Sequence, residues 1–184
     1  MLLFFALGCA PEEPTPICPV WSGLSEVGRT WRYREFAGDG EEWEARLEEL
    51  GLDRVVVEGD QWREQYVCDD EGLWIELRTQ DDEAGAARWE FDPPGLVMPA
   101  TLAVGDAWTA AWAWRYSDAS GAVATASSSA QWAVVGETES NVSAGAFDTL
   151  EMYVYDEENG GDSRYYAPGV GLVLSGASQL VSME

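Results

Sequence analysis

The chain of 184 residues carries 34 Asp and Glu against 10 basic residues, all of them arginine, with no histidine, giving a formal net charge of −24. A nucleic-acid binder must neutralise phosphates with a basic patch; arginines scattered singly from Arg29 to Arg164 supply none, and anionic lipid headgroups are repelled for the same reason. Hydrophobic residues at 46% and 10 tryptophans exclude a disordered acidic tail and suit one folded domain, which at this length buries roughly 70% of the surface of its unfolded chain.

The first element is an apolar run, Met1 to Gly8, closed by Ala6-Leu7-Gly8-Cys9 and followed by the Pro-rich stretch Ala10-Pro11-Glu12-Glu13-Pro14-Thr15-Pro16. It resembles the end of a lipoprotein signal peptide, in which the cysteine of the lipobox is lipidated and becomes the first residue of the mature chain. Ala6 and Leu7 are transposed relative to the preferred order, there is no basic n-region, and the run falls at the short end of signal-peptide h-regions, so the signal reads as truncated. The resemblance implies export, a lipid anchor on Cys9 and, with Ala10 next to it, sorting to the outer membrane, periplasmic or surface-facing. Nothing else reaches the 18 apolar residues of a membrane-spanning helix. With Cys9 lipidated, Cys18 and Cys68 remain as a pair that an oxidising compartment joins. A zinc site lacks ligands in a chain without histidine, and a catalytic thiolate lacks its base.

Beyond the tether the periodicity is two. Trp31 and Tyr33 alternate with Arg32 and Arg34, and Trp43, Ala45 and Leu47 with Glu44, Arg46 and Glu48, which predicts half-buried strands. The span from Glu41 to Leu50 is the one segment that competes as a helix, and its alternation favours a strand. Trp108, Ala110, Trp112, Trp114 and Tyr116 form one aromatic strand face. Gly38-Asp39-Gly40, Gly59-Asp60, Ser120-Gly121 and Asn159-Gly160-Gly161 read as hairpin turns with positive φ.

A weak repeat runs through these strands. Val27-Gly28-Arg29-Thr30-Trp31 recurs as Val104-Gly105-Asp106-Ala107-Trp108, Val57 to Trp62 matches Val142 to Phe147, and Gly72-Leu73 matches Gly171-Leu172. The expected division is a signal peptide over 1–8, lipidated cysteine and tether over 9–22, and one β domain over 23–184. Within it a first meander over 23–91 and a second over 102–184 are joined by a linker over 92–101, whose prolines cannot enter a central strand. Because each meander leaves an apolar face to cover, one shared core follows.

The run Val142-Ser143-Ala144-Gly145-Ala146-Phe147-Asp148-Thr149-Leu150, followed by Tyr165-Tyr166-Ala167-Pro168-Gly169-Val170-Gly171-Leu172-Val173, resembles a group of uncharacterised exported bacterial β proteins. The similarity is specific over roughly residues 97 to 176 and vague before that. It implies an all-β fold, a single curved antiparallel sheet forming a half-barrel or open barrel like those of the lipoprotein-localisation carriers, and it implies no activity. Pro168, Gly169 and Gly171 then break the ladder ahead of a last edge strand.

Without histidine or lysine, the Ser-His-Asp triad, Ser-Lys and Cys-His dyads, P-loop and pyridoxal-lysine chemistry all lack their parts. No enzyme activity and no cofactor are expected. Oxygen-rich loops at Asp69-Asp70-Glu71, Asp81-Asp82-Glu83 and Asp156 to Asp162 raise the question of Ca²⁺, with Asp156, Glu158 and Asp162 the foremost candidates, although solvated hairpin tips are the default account of them. Trp112, Trp114 and Tyr116 are the candidate ligand-facing aromatics, against the simpler reading that they are core. Three functions stay open: a membrane-anchored envelope lipoprotein acting as a non-enzymatic structural or interaction module, which leads; a carrier or sensor with an apolar groove for lipid or lipoprotein; and a carboxylate-based hydrolase.

Overall fold

Alternation builds the first hairpin. In the computed structural model, which describes residues 18–36, 39–51, 54–82, 85–157 and 160–184, strand β1 (Thr30–Glu35) turns Trp31 and Tyr33 inward at 4% and 6% exposure. Arg32 and Arg34 point out, where they meet Glu44 and Glu42 of β2 (Glu42–Leu50), the neighbour in register. The segment weighed between helix and strand is thus a strand, with Ala45 and Leu47 buried. The meander continues through β3 (Val55–Gly59), β4 (Trp62–Cys68), β5 (Gly72–Asp82) and β6 (Gly85–Pro99), then β7 (Ala107–Asp118), β8 (Val123–Val142), β9 (Gly145–Asp156), β10 (Gly160–Ala167), β11 (Gly171–Leu174) and β12 (Ser178–Met183).

The expected all-β antiparallel fold is present, but the sheet is not open. β12 pairs back onto β1, from Trp31 opposite Met183 to Glu35 opposite Ser178, so that twelve strands close into a barrel. Closure removes the free edges that an open sheet would present. Pro168 and Gly169 accordingly lie in the turn between β10 and β11, and β11 is followed by a further strand rather than ending the sheet. Next to this seam the ladder is short, β11 meeting β12 at Leu174 opposite Gln179.

Divided between β6 and β7, near the expected join, the barrel falls into β1–β6 and β7–β12, six strands each. Their opening hairpins are built alike. Gly28, at φ 88°, donates its N–H to the carbonyl of Leu47 (2.7 Å), and Leu47 returns a bond to Arg29 (2.9 Å). Gly105, at φ 96°, donates likewise to Val134 (2.9 Å), and Val134 returns a bond to Asp106 (2.8 Å). Gly72 and Gly171 each begin the fifth strand of their half, but Trp62 opens a fourth strand and Phe147 lies within a third, so that middle match is not a structural equivalence. Residues 92–99, expected to join the meanders, belong to β6. The ladder jumps from Leu77 opposite Glu90 to Ile75 opposite Gly95, which leaves the two prolines in a bulge.

One end of the barrel is closed by the segment before β1. Cys18 is joined by a disulfide to Cys68 at the end of β4, and a 3-10 turn at Val20–Ser22 crosses to the β10–β11 turn. There Gly169 donates to the carbonyl of Val20 (2.7 Å), Trp31 Nε1 donates to that of Val170 (2.7 Å), and the Arg29 guanidinium donates to that of Gly169. The approach depends on two glycines. A Cβ at Gly23 would lie 2.4 Å from the Val170 carbonyl oxygen, and one at Gly171, at φ 91°, 2.7 Å from that of Ser22. Leu47, Val55, Leu150, Met152 and Leu180 form the tightest part of the core, each exposed by 2% or less.

Candidate functional site

A barrel of eight strands is just wide enough for its own side chains to fill, and more strands widen the interior. With twelve, the interior stays open as a cavity of about 580 Å³. Indole rings make up much of its wall: Trp31, Trp43, Trp62, Trp108 and Trp132. Towards the open end it runs into a wider mouth of about 1220 Å³, where Trp89, Trp112 and Trp114 join the lining. Eight of the 10 tryptophans therefore face the lumen. The rings hold one another: Tyr33 stacks on Trp43 at 4.3 Å, and Trp108 on Trp132 at 5.5 Å with the planes 8° apart.

Where the cavity meets the mouth, polar groups enter this wall as a cluster. Strand β4 reads Trp62, Glu64, Tyr66 on its inner face, and Glu64 pairs in register with Arg78 of β5. The Tyr66 hydroxyl donates to Glu64 Oε2, and Arg78 Nη1 lies 3.7 Å from Glu64 Oε1. Burial pushes the Tyr66 phenol well above its ordinary value, and the neighbouring Glu64 carboxylate pushes it further. Tyr166, across the lumen, is also raised by burial, with Arg164 opposing the shift. Tyr33 donates to the carbonyl of Leu172 (2.9 Å), and burial raises its phenol too. The Arg164 guanidinium lies over the Trp132 ring, 5.2 Å from its centroid, and its Nε is 3.6 Å from Asp162. The indole N–H groups of Trp108 and Trp132 are buried and have no hydrogen-bond partner among the described residues.

Of the sequence-named aromatics, Trp112 and Trp114 line the mouth, while Tyr116 packs against Trp89 at 5.2 Å. All three are half-buried on the inner face of β7. Beyond them Val123–Ser129 of β8 is exposed throughout, and its ladder partners lie in β7, since the pairing with β9 starts only at Ala130. The barrel wall is thus extended on one side by an apron whose inner face is aromatic.

The acidic loops are used differently. Asp69 Oδ1 accepts from the N–H groups of Glu71 and Gly72 (both 2.9 Å) and from Trp74 Nε1 (3.0 Å), bonds that outweigh its partial desolvation and hold the carboxyl below its usual range. Asp156 lies at the mouth, Asp162 accepts from the Gly176 N–H (3.1 Å), and Glu158 is outside the described residues. No three acidic or cysteine side chains cluster as a metal site among the described residues. Cys9 and the signal-like run also lie outside the described residues.

Glu64, Arg78 and Arg164 were not singled out from sequence, although a signal was there. Glu64 falls in phase with Trp62 and Tyr66, as Arg164 does with Tyr166, so each is a charge on the apolar face of a strand, a position that polar side chains avoid without a partner.

No family model matches the chain, and no curated protein matches it. Two solved structures are similar in outline. One is a Bacteroides fragilis protein described as exported with a YmcC-like fold, at 14% identity over 93% of this chain and 100% of that one, with a TM-score of 0.48. The other is a Parabacteroides distasonis protein described as a lipoprotein, at 11% identity over 94% of this chain and 100% of that one, with a TM-score of 0.43.

Proposed function

We propose that the chain is an exported envelope lipoprotein whose barrel binds an apolar or amphipathic small molecule in its lumen, without catalysing a reaction on it. The observation that carries the reading is the open, indole-lined cavity of about 580 Å³. Binding sites for small organic ligands are concave, mostly apolar, of roughly 300–1,000 Å³, and furnished with a few placed polar groups. The Glu64, Tyr66 and Arg78 cluster is such a furnishing. A purely structural module would gain stability from a filled core, which is why the lumen shifts the reading from interaction module to binder. Export rests on the run ending in Cys9 and on the Cys18–Cys68 bridge, which persists in oxidising compartments. Anchorage to the outer membrane rests on Ala10 following Cys9.

The test of binding is a titration with N-phenyl-1-naphthylamine, an uncharged dye that brightens in apolar surroundings. Saturable enhancement at one site per chain is expected, together with its loss in Leu172→Trp, which fills the lumen from β11. Far-UV circular dichroism and melting confirm that the variant folds. Absence of saturable binding by the parent protein overturns the reading. Anchorage is tested separately in cells, where metabolic labelling with a fatty acid should mark the parent chain and not Cys9→Ser.

A further inference from the structure

We infer that the ligand of this lumen is a hydrophobic organic cation, an amine or quaternary ammonium on an apolar body; the inference rests on the binding reading above and specifies its ligand. Three observations converge on it. The first is the wall itself. Indole faces carry the negative lobe of the ring quadrupole and attract cations lying over them, tryptophan most strongly. The lumen already holds one cation this way, the Arg164 guanidinium over Trp132.

The second observation is the balance of charge on the lining. Four carboxylates, Glu35, Glu64, Asp156 and Glu157, stand there against two arginines, Arg78 and Arg164. Both arginines are engaged, Arg78 with Glu64 at 3.7 Å and Arg164 with Asp162 at 3.6 Å. An incoming anion would therefore have to displace a protein carboxylate to find a positive partner. A cation meets Glu35 and Glu157, neither of which has an arginine within ion-pair distance among the described residues.

The third is the field outside the mouth. Each of the ten arginines is within ion-pair distance of a carboxylate, and with 34 Asp and Glu in the chain the net charge is −24. Low-dielectric walls focus such a field into the cleft, raising the local concentration of cations and depleting anions. Fatty acids and anionic lipids, which suit the apolar wall, are disfavoured by the same field. The specific occupant is one that satisfies wall and field together.

Tetraphenylphosphonium and tetraphenylborate separate these terms, because they share size and shape and differ in the sign of their charge, while triphenylphosphine oxide supplies a neutral relative. Binding is read from quenching of the lumen tryptophans and by calorimetry, at low salt and at 0.5 M NaCl. Tetraphenylphosphonium should bind one per chain, about tenfold or more tighter than the phosphine oxide, and tetraphenylborate should not compete. Surface attraction is screened away in high salt, so one-to-one binding that persists in 0.5 M NaCl and is lost in folded Leu172→Trp places the cation in the lumen. Glu35→Gln, which keeps the shape of the wall, should weaken the phosphonium and leave the phosphine oxide unchanged. If the neutral compound binds as tightly as the cation, or the borate tighter, the cation inference falls and the lumen remains a binder of apolar molecules. If none of the three, nor the uncharged dye, binds saturably, the binding reading itself falls.

Discussion

Removing the Cys18–Cys68 bridge should destabilise the barrel substantially, and the size of the effect follows from the span of chain the bridge closes. The two cysteines are 50 residues apart, and the loop contains β1, β2, β3 and β4. In the chain-entropy model a cross-link of that length lowers the freedom of the unfolded chain by an amount worth about 4 kcal/mol at room temperature. For a protein of this size each kcal/mol moves the melting temperature by roughly 2–4 °C, so Cys18→Ala with Cys68→Ala should melt some ~8–16 °C lower than the oxidised parent. Alanine is the appropriate replacement because Cys68 is buried at 6% exposure, where a serine hydroxyl would add a desolvation cost of its own. Calorimetry on oxidised parent, reduced parent and double variant provides the measurement, with reduced parent and double variant expected to coincide. A double variant that melts within about 3 °C of the oxidised parent would refute the reasoning. The closing segment would then be held by Trp21 and Leu24 against the core and by its bonds to the β10–β11 turn, with the bridge adding nothing.

Gly171→Ala should also loosen that closed end, since its Cβ meets the Ser22 carbonyl at 2.7 Å on a backbone at φ 91°; a loss of about 1–3 kcal/mol is expected, read by urea denaturation, and an unchanged midpoint would show that the segment shifts without strain. Alkaline titration should be cooperative: the phenols of Tyr33, Tyr66 and Tyr166 are all raised by burial from the ordinary tyrosine value of 10.0, so the stability they contribute is complete below pH 10 and is lost as pH rises from there towards their folded values. Absorbance at 295 nm should accordingly show these tyrosines ionising together with the loss of circular dichroism, and smooth, independent ionisation in the folded state would contradict their burial. Added NaCl should raise the melting temperature by screening the repulsion among uncompensated carboxylates, and CaCl₂ at equal ionic strength should act alike. A response to low millimolar Ca²⁺ beyond that would reveal a site bound only in the native state and direct replacement to Asp156, Glu158 and Asp162.

Which features could be read from sequence follows from where their causes lie along the chain. Inward and outward faces are fixed within a strand, so Trp31 and Tyr33 against Arg32 and Arg34, or Trp43 and Leu47 against Glu44 and Glu48, announce their sides to anyone counting by two. The likeness of the two opening hairpins was legible for a comparable reason: a glycine at positive φ, three residues before an aromatic, serves the same exchange of backbone bonds with Leu47 in one half and Val134 in the other. Closure has no such local cause. The alternation of β1 and β12 is the same whether each is an edge or they pair with one another, and only the sum of twist over all strands brings Tyr33 opposite Leu180. The lumen is a consequence of closure at that strand number, and so was equally hidden. Once twelve strands close, their inner faces enclose more space than side chains fill, and two of the chain's oddities acquire a common explanation. Tryptophan is the largest apolar side chain available to narrow such a space, and a charge such as Glu64 is tolerable among those rings because Tyr66 and Arg78 meet it from the same and the adjoining strand. The aromatic strand face that read as ordinary core in β7 is therefore wall along its length, of the cavity at Trp108, where it stacks on Trp132, and of the mouth at Trp112 and Trp114, where the same alternation has run past the packed end of the barrel.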